Sequence, residues 1–298
     1  ENDTLLQAGE LTAAVNLMSL FGGGYEISKI IIDDTKAKAI VLEDGRPNWD
    51  VIKVDSTATE TVEETDSTSS PFRIQLKKLN IDNLTLIYDD RQAGMYAEVI
   101  DLNASCSGDL GSERTTIKLD SETPSVTFRM GGVPFLSKAS IGAEMDIDAD
   151  LAANKFTLKE NTLSLNAIRA TIDGWVALTE SGMDMDIKLN SNEISFKEIL
   201  SLIPAIYAKD FDGLKTSGEA TLSAYAKGSM VGDSIMPEFD VNLNVKNAMF
   251  RYPSLPAGVD NINIAASVKN PGGSIDATTI KVNPFNLTLA GNPFSMTA

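Results

Sequence analysis

The chain has 298 residues, with 25 Lys and Arg against 42 Asp and Glu, and a formal net charge of −17. A surface this acidic repels phosphate backbones and anionic membranes, so nucleic acid is not an expected partner. The chain contains no histidine and one cysteine, which excludes His-based triads, His-ligated zinc and an internal disulfide. We expect neither enzymatic activity nor a cofactor or metal.

Both ends of the sequence are typical of a fragment. Residues 1–4 are polar and do not start with Met, and residues 293–298 lack a polar tail. There is no apolar run of about 18 residues that could cross a bilayer, and no signal peptide. We therefore interpret residues 1–298 as a soluble piece of a longer protein, formed by one continuous β-rich region.

Alternation of apolar and polar residues with a period of two dominates the chain. It is clearest in Met145–Leu151, Met183–Asn190 and Phe239–Lys246. This period is typical of strands with one apolar and one wet face. Turn-forming pairs separate such runs, and many short strands with few helices predict a mainly β fold with a large antiparallel sheet. The predicted turns are Asp44-Gly45, Asp173-Gly174, Ser181-Gly182 and Asn270-Pro271-Gly272-Gly273.

One segment has helical spacing instead. Between residues 195 and 207 the apolar side chains recur every three or four positions, which predicts one amphipathic helix. Ser195 and Glu198 match a capping box, and Pro204 is expected to kink or end the helix. The apolar residues are Phe196, Ile199, Leu200, Ile203 and Ile206. The weaker pattern at Leu11–Leu20 fits a helix or an irregular strand.

Residues 55–70 differ from the rest in composition. They include five acids and one apolar side chain larger than Ala. Such a segment cannot bury enough surface to offset the entropy of ordering it. We predict a disordered acidic loop.

The sequence also contains an internal repeat. Without gaps, 81–108 aligns with 245–272, matching Asn83 with Asn247 and Tyr88 with Tyr252. The alignment predicts that a related strand pair is used twice.

The acidic motifs do not predict a catalytic or metal site. Asp146, Asp148 and Asp150 alternate like a calcium loop, but Gly and an acid are missing from the sixth and twelfth positions, so the outer face of a strand is favoured. Asp184 and Asp186 are interpreted likewise. Sequence neighbours on a strand point to opposite faces, so Asp33-Asp34 and Asp89-Asp90 cannot each form a hydrolytic carboxylate pair. Cys106 is expected to be inert because no histidine can activate it.

The apolar faces themselves remain as a candidate site. They fit either a closed core or a surface that holds an apolar ligand. Several of the ten methionines lie on these faces, including Met145, Met183, Met185 and Met249. Unbranched thioethers suit surfaces that accommodate varied ligands.

Several stretches together resemble the AsmA-like family of envelope proteins. Residues 30–50, ending in Arg46-Pro47-Asn48-Trp49-Asp50, look like that family's strand and "NW" turn. Residues 81–90, which end in Tyr88-Asp89-Asp90, are similar to its next strand. The resemblance continues through 163–174, 183–189, 199–204 and 218–228.

The resemblance implies a long, curled antiparallel sheet, groove-like or an open barrel. It also implies a periplasmic protein that is attached to the inner membrane through an anchor missing from this chain. Proteins of this kind are thought to carry phospholipids between the two membranes and to support outer-membrane assembly. No catalytic residues come with the family.

We therefore expect a non-enzymatic module that binds phospholipid or another acyl-chain lipid, with Phe196, Ile199, Leu200 and Ile203 in a helix that gates one end. The alternatives are a structural protein with a closed core and no lipid, and a glycan hydrolase, which rests only on abundant carboxylates. The predicted lipid-facing residues are Met183, Met185, Ile187, Leu189, Phe239, Val241, Leu243 and Val245.

Overall fold

The structure, a computed structural model, is mainly β, as predicted. It describes residues 4–15, 25–50, 72–73, 77–200, 202, 213–232, 234–252 and 256–297. The predicted acidic loop at 55–70 lies outside the described residues. The chain divides into two compact units. Unit 1 comprises Glu1–Gly111 and Ser121–Ser137, and unit 2 comprises Ser112–Asp120 and Lys138–Ala298.

The strands follow one another along the chain with short connections in most places. Unit 1 contains β1 (Leu6–Gln7), β2 (Glu10–Val15), β3 (Tyr25–Val41), β4 (Phe72–Arg73), β5 (Lys78–Asp90) and β6 (Met95–Ser107). Both units include parts of β7 (Arg114–Met130) and β8 (Val133–Asp150). Unit 2 continues with β9 (Lys155–Leu165), β10 (Ile168–Thr179), β11 (Gly182–Ser191), β12 (Ile194–Ser195), α1 (Phe196–Leu200), β13 (Lys215–Met230), β14 (Met236–Arg251), β15 (Val259–Gly273), a 3₁₀ turn (Ile275–Ala277), β16 (Thr279–Leu289) and β17 (Asn292–Met296).

The predicted large sheet is present and is mixed, because a parallel pairing in unit 1 accompanies the predicted antiparallel pairings. In unit 1, β3 pairs in parallel with β4 and β5, while β1 and β2 pair with β3 in the antiparallel sense. Parallel neighbours need a crossover of a dozen residues or more. Residues 42–77 provide that length between β3 and β5. In the described part of unit 2, the ladders from β8–β9 to β16–β17 are antiparallel.

The alternating runs form strands as predicted, and two of the predicted turns do not form. Asp173-Gly174 lies within β10, and Asn270–Gly273 forms the end of β15. Gly174 is required by close packing, because a Cβ there would lie 1.9 Å from the Asp186 carbonyl oxygen of β11. The glycine thus marks a bulge inside a strand instead of a turn between two strands.

A matching hydrogen-bond motif occurs in both units at mid-strand bulges. In unit 1, the Asn83 backbone N–H donates to Asn103 Oδ1, and Asn103 Nδ2 donates to the Asp101 carbonyl. In unit 2, Asn247, Asn263 and Asn261 make the same two bonds. In each motif the first and last of these residues have positive φ, which Asn and Asp tolerate better than most side chains. The motif gives a physical reason for the alignment of Asn83 with Asn247.

The Asn48-Trp49 turn of unit 1 is held against β3 by its asparagine. Asn48 Oδ1 accepts the Ile40 N–H at 2.8 Å, and Asn48 Nδ2 donates to the Lys38 carbonyl at 2.9 Å. The Asn48 N–H also donates to the Ile40 carbonyl. Trp49 is exposed. The asparagine therefore replaces the hydrogen bonds of a neighbouring strand.

The described residues include part of the helix predicted over 195–207. This part covers Phe196–Leu200, and Ile203, Pro204 and Ile206 lie outside the described residues. The predicted capping box is confirmed, because the Ser195 N–H donates to a Glu198 carboxylate oxygen and the Glu198 N–H donates to Ser195 Oγ. For Leu11–Leu20 the sequence fits either a helix or an irregular strand. In the structure, residues 11–15 belong to strand β2.

Candidate apolar site on unit 2

Register places the predicted lipid-facing residues on one face of the unit 2 sheet. Residues directly opposite each other in a ladder share a face. On β11, Ile187 lies opposite Ala226 of β13, which lies opposite Phe239 of β14. Likewise, Leu189 of β11 lies opposite Ala224 of β13, which lies opposite Val241 of β14. Alternate positions along a strand also share a face, so all four predicted positions on β11 lie on the same face as the four on β14. We call this surface the apolar face.

The eight residues differ in how far they are covered. Met185 and Val245 are buried, Val241 is exposed, and the others are half-buried. Their lipid-facing role stays a prediction.

Strand β13, between these two ridges, carries smaller side chains that the sequence reasoning did not select. Ala224, Ala226 and Gly228 lie on the apolar face, opposite Leu189, Ile187 and Met185 respectively. Strands in a sheet are about 4.8 Å apart, so the larger side chains of β11 and β14 flank a strip roughly 10 Å across. We call this strip the furrow. The sequence signal that could have revealed the furrow is the series of small residues at alternate positions between 220 and 228.

Helix α1 covers one end of the apolar face. Phe196 is buried with Val245, Ala248 and Ile262 in a cluster that also includes Ile168, Ile194 and Ala220. Ile199 and Leu200 pack against this cluster. Ala220 lies opposite Val245 in the β13–β14 ladder, so the cluster continues the same face as Val241 and Leu243. Of the predicted gating residues, three are thus placed on the apolar face, and Ile203 is outside the described residues.

The carboxylates lie on the opposite, polar face. Asp146, Asp148 and Asp150 on β8 form ion pairs with Lys118, Lys159 and Arg114. The hydrogen bond from Lys159 Nζ to Asp148, at 2.8 Å, lowers the pKa of that carboxyl below its ordinary value, and a second from Thr116 adds to the effect. These acids therefore form the outer face of a strand. Within the described parts of the chain, no three His, Cys, Asp or Glu side chains group so as to hold a metal ion.

The remaining acidic doublets also have structural partners. Asp34 accepts a hydrogen bond from Asn83, and Asp89 pairs with Arg91. Asp90 accepts from the Tyr88 hydroxyl and from the Ala93 N–H. The Asp34 contact joins β3 and β5 within the strands, and the contacts of Asp89 and Asp90 hold the end of β5 and its turn together.

A polar depression of about 640 Å³ lies where β7, β8 and β9 meet in unit 2. Arg114 and Asp150, which line it, form an ion pair at 2.9 Å. Asp148 is paired with Lys159, and Lys155 lies over the Trp175 ring. The charges of this depression are largely matched within the chain, and it differs in character from the apolar face.

Cys106 lies in β6 and is half-buried. Burial raises the pKa of its thiol. A raised pKa reduces the thiolate fraction, which supports the prediction of an inert side chain.

The comparisons with known proteins give one match. The family model named "AsmA family" matches residues 2–203, about two thirds of the chain. No curated protein and no solved structure matches. The described residues include no helix long and apolar enough to cross a membrane. The sequence motifs, the long sheet and this match together show that the chain belongs to the AsmA family, which is associated with the bacterial envelope and outer-membrane assembly.

Proposed function

We propose that this chain is a non-enzymatic module that binds the acyl chains of phospholipids on the apolar face of unit 2, and that it supports outer-membrane assembly from the periplasm. An anchor outside this chain would attach it to the inner membrane. Family membership supports the envelope setting. The observation that carries lipid binding is the furrow, whose apolar borders are mostly half-buried and include the exposed Val241.

The energy for such binding comes from apolar burial alone. Each methylene removed from water contributes about 0.8 kcal/mol. Ile280 of β16 lies opposite Val268, which lies opposite Val241, so Ile280 belongs to the apolar face. Val241 and Ile280 are 36% and 72% exposed, so an acyl chain lying there would bury protein surface as well as its own. Two acyl chains of ordinary length can therefore be held without a charged contact.

The lack of histidine supports a non-enzymatic role, since the common nucleophile and acid–base systems need it. The paired carboxylates on the polar face give a hydrolase no obvious acid and base. The structural alternative, a closed core without lipid, is supported only at the covered end, where the α1 cluster is buried.

Adjacent residues on two strands allow a matched crosslinking test. A photo-crosslinking amino acid is placed at Val241 or Ile280 on the apolar face, and at the neighbouring Asn242 or Lys281 on the polar face. The full chain is expressed behind an added export signal in a Gram-negative envelope and irradiated. Phospholipid adducts, detected by mass spectrometry, are expected at Val241 and Ile280 only.

Two results would contradict the proposal. Equal capture at Lys281 and Ile280 would indicate contact with membrane instead of a binding face. No capture at either apolar position, together with no lipid in organic extracts of the purified protein, would favour the closed structural alternative.

A further inference from the structure

The apolar face of unit 2 has two unlike ends. On β14, Val245 is 2% exposed beneath α1, whereas Val241, four residues nearer the β13–β14 turn, is 36% exposed. On β10, Ile168 is buried in the α1 cluster and Leu178, beside the β10–β11 turn, is exposed. On β10 and β14 the exposure is thus higher toward the rim formed by the turns at 180–181, 231–235 and 274–278, which we call the open rim, whereas Met185 of β11 is buried near that rim.

The furrow runs between these two ends. Gly228 and Ala226 lie toward the open rim, and the larger Leu222 lies between Ala224 and the α1 cluster. From Phe239 to Val245 the flanking strand advances about 20 Å, at roughly 3.3 Å per residue. One leaflet of a bilayer has a hydrocarbon thickness of about 15 Å, half of the full core. The length of an acyl chain thus fits between the rim and the cluster.

The described residues of the cluster at the covered end offer a headgroup no polar partner. Every member of the buried cluster is apolar, and Phe196, Ile199 and Leu200 of α1 pack onto it. A hydrated phosphate there would lose its water without gaining a hydrogen-bond partner, which is strongly unfavourable.

Charge complementarity selects the kind of headgroup at the open rim. The described residues of its three turns include Glu180 and Asp276 and no Lys or Arg. The whole chain carries a net charge of −17. An anionic headgroup would be repelled there, whereas a zwitterionic one with a terminal ammonium group would not.

We infer that the bound lipid is a zwitterionic two-chain phospholipid, held with its chain ends at the α1 cluster and its headgroup at the open rim. This inference rests on the proposed function and adds a direction to it. Lipid enters and leaves at the open rim, and it does not pass beneath α1.

Two photoreactive phosphatidylethanolamines test the direction. One carries a diazirine near the carboxyl end of an acyl chain, and the other carries it at the terminal methyl. Each is loaded onto the full purified chain and irradiated, and the labelled residues are mapped by mass spectrometry. The first probe is expected to label Leu178, Val241 and Ile280, and the second to label Leu243, Ile264 and Leu200.

Three outcomes overturn the direction while leaving lipid binding intact. They are a reversed pattern, equal labelling of both ends by both probes, and labelling of Phe294 and Met296 on β17 by the terminal probe in place of the α1 end. Failure of both probes to label or bind the protein would contradict the proposed function itself.

Competition with unlabelled vesicles tests the headgroup. At low ionic strength, phosphatidylethanolamine–phosphatidylcholine vesicles are expected to displace the probe at lower concentration than phosphatidylglycerol vesicles, and added salt should reduce this difference. Equal or stronger competition by phosphatidylglycerol at low salt would overturn the assignment of a zwitterionic lipid.

Discussion

The two ends of the apolar face differ although the same strands build both. Val241 and Val245 occupy equivalent alternating positions on β14, yet the first is exposed and the second is buried. The difference arises because α1 covers only one end, where Phe196 packs onto Val245 and its neighbours. Strand patterning thus makes a face apolar, and a separate element decides which part of that face is core and which part is available to a ligand.

The largest effect on stability should come from placing a charged side chain at each end of the apolar face. Val245→Asp buries an unpaired carboxylate in the α1 cluster and is expected to destabilise unit 2 by about 4 kcal/mol or more. Val241→Asp keeps its carboxylate near water and should cost about 1 kcal/mol or less. Urea unfolding of both variants measures the contrast. If Val245→Asp does not fold, Val245→Ala gives the milder comparison. Equal losses at the two positions would show that the face is covered along its whole length.

Removing the ring that closes the covered end should have the next largest effect. Phe196→Ala deletes a buried aromatic side chain and is expected to lower the free energy of unfolding by about 3 kcal/mol. Leu202, nearby and exposed, provides the control, and Leu202→Ala should cost less than about 1 kcal/mol. Thermal or urea denaturation measures both. A loss at Phe196 no greater than at Leu202 would mean that α1 does not contribute to the core.

A change on the polar face should have the smallest effect on stability. It serves as the reference for both ends of the apolar face. The hydrogen bond from Lys159 makes the Asp148 carboxyl more acidic in the folded chain than in the unfolded one. Its contribution to stability is therefore present above the ordinary carboxyl pKa of 3.8 and is lost as the pH falls through the lower folded value. The contribution is small because the group is solvent-exposed.

Titration of the Asp148 carboxyl by NMR measures this shift directly. In Lys159→Met the pKa should rise toward 3.8, while binding at the apolar face stays unchanged. An unaltered midpoint in that variant would show that Lys159 is not the cause of the shift.

Much of the strand structure was predictable because alternation is a local property. Met183–Asn190 and Phe239–Lys246 alternate so regularly that their strands and apolar faces could be assigned from the residues alone. The Ser195–Glu198 capping box was predictable for the same reason, since its two hydrogen bonds join residues three apart. In contrast, Asp173-Gly174 has the composition of a turn but lies in a strand, because the Asp186 carbonyl of the neighbouring strand leaves space only for glycine.

The furrow was missed because its floor is made of small side chains. Ala224, Ala226 and Gly228 show no strong hydrophobic alternation, so their strand was recognised but not its part in the site. Their significance depends on the larger residues of β11 and β14 on either side, which are separated from them by tens of positions in the sequence.

The sequence by itself determined that the chain is a β-rich acidic protein without histidine chemistry, with apolar faces and with motifs of the AsmA family. Those properties follow from composition and from contacts between near neighbours. Only the tertiary structure decided the parallel pairing of β3 with β5, the position of the furrow and the end that α1 covers. Each depends on register and packing between distant segments, where the exposure of one residue is set by which other residues lie above it.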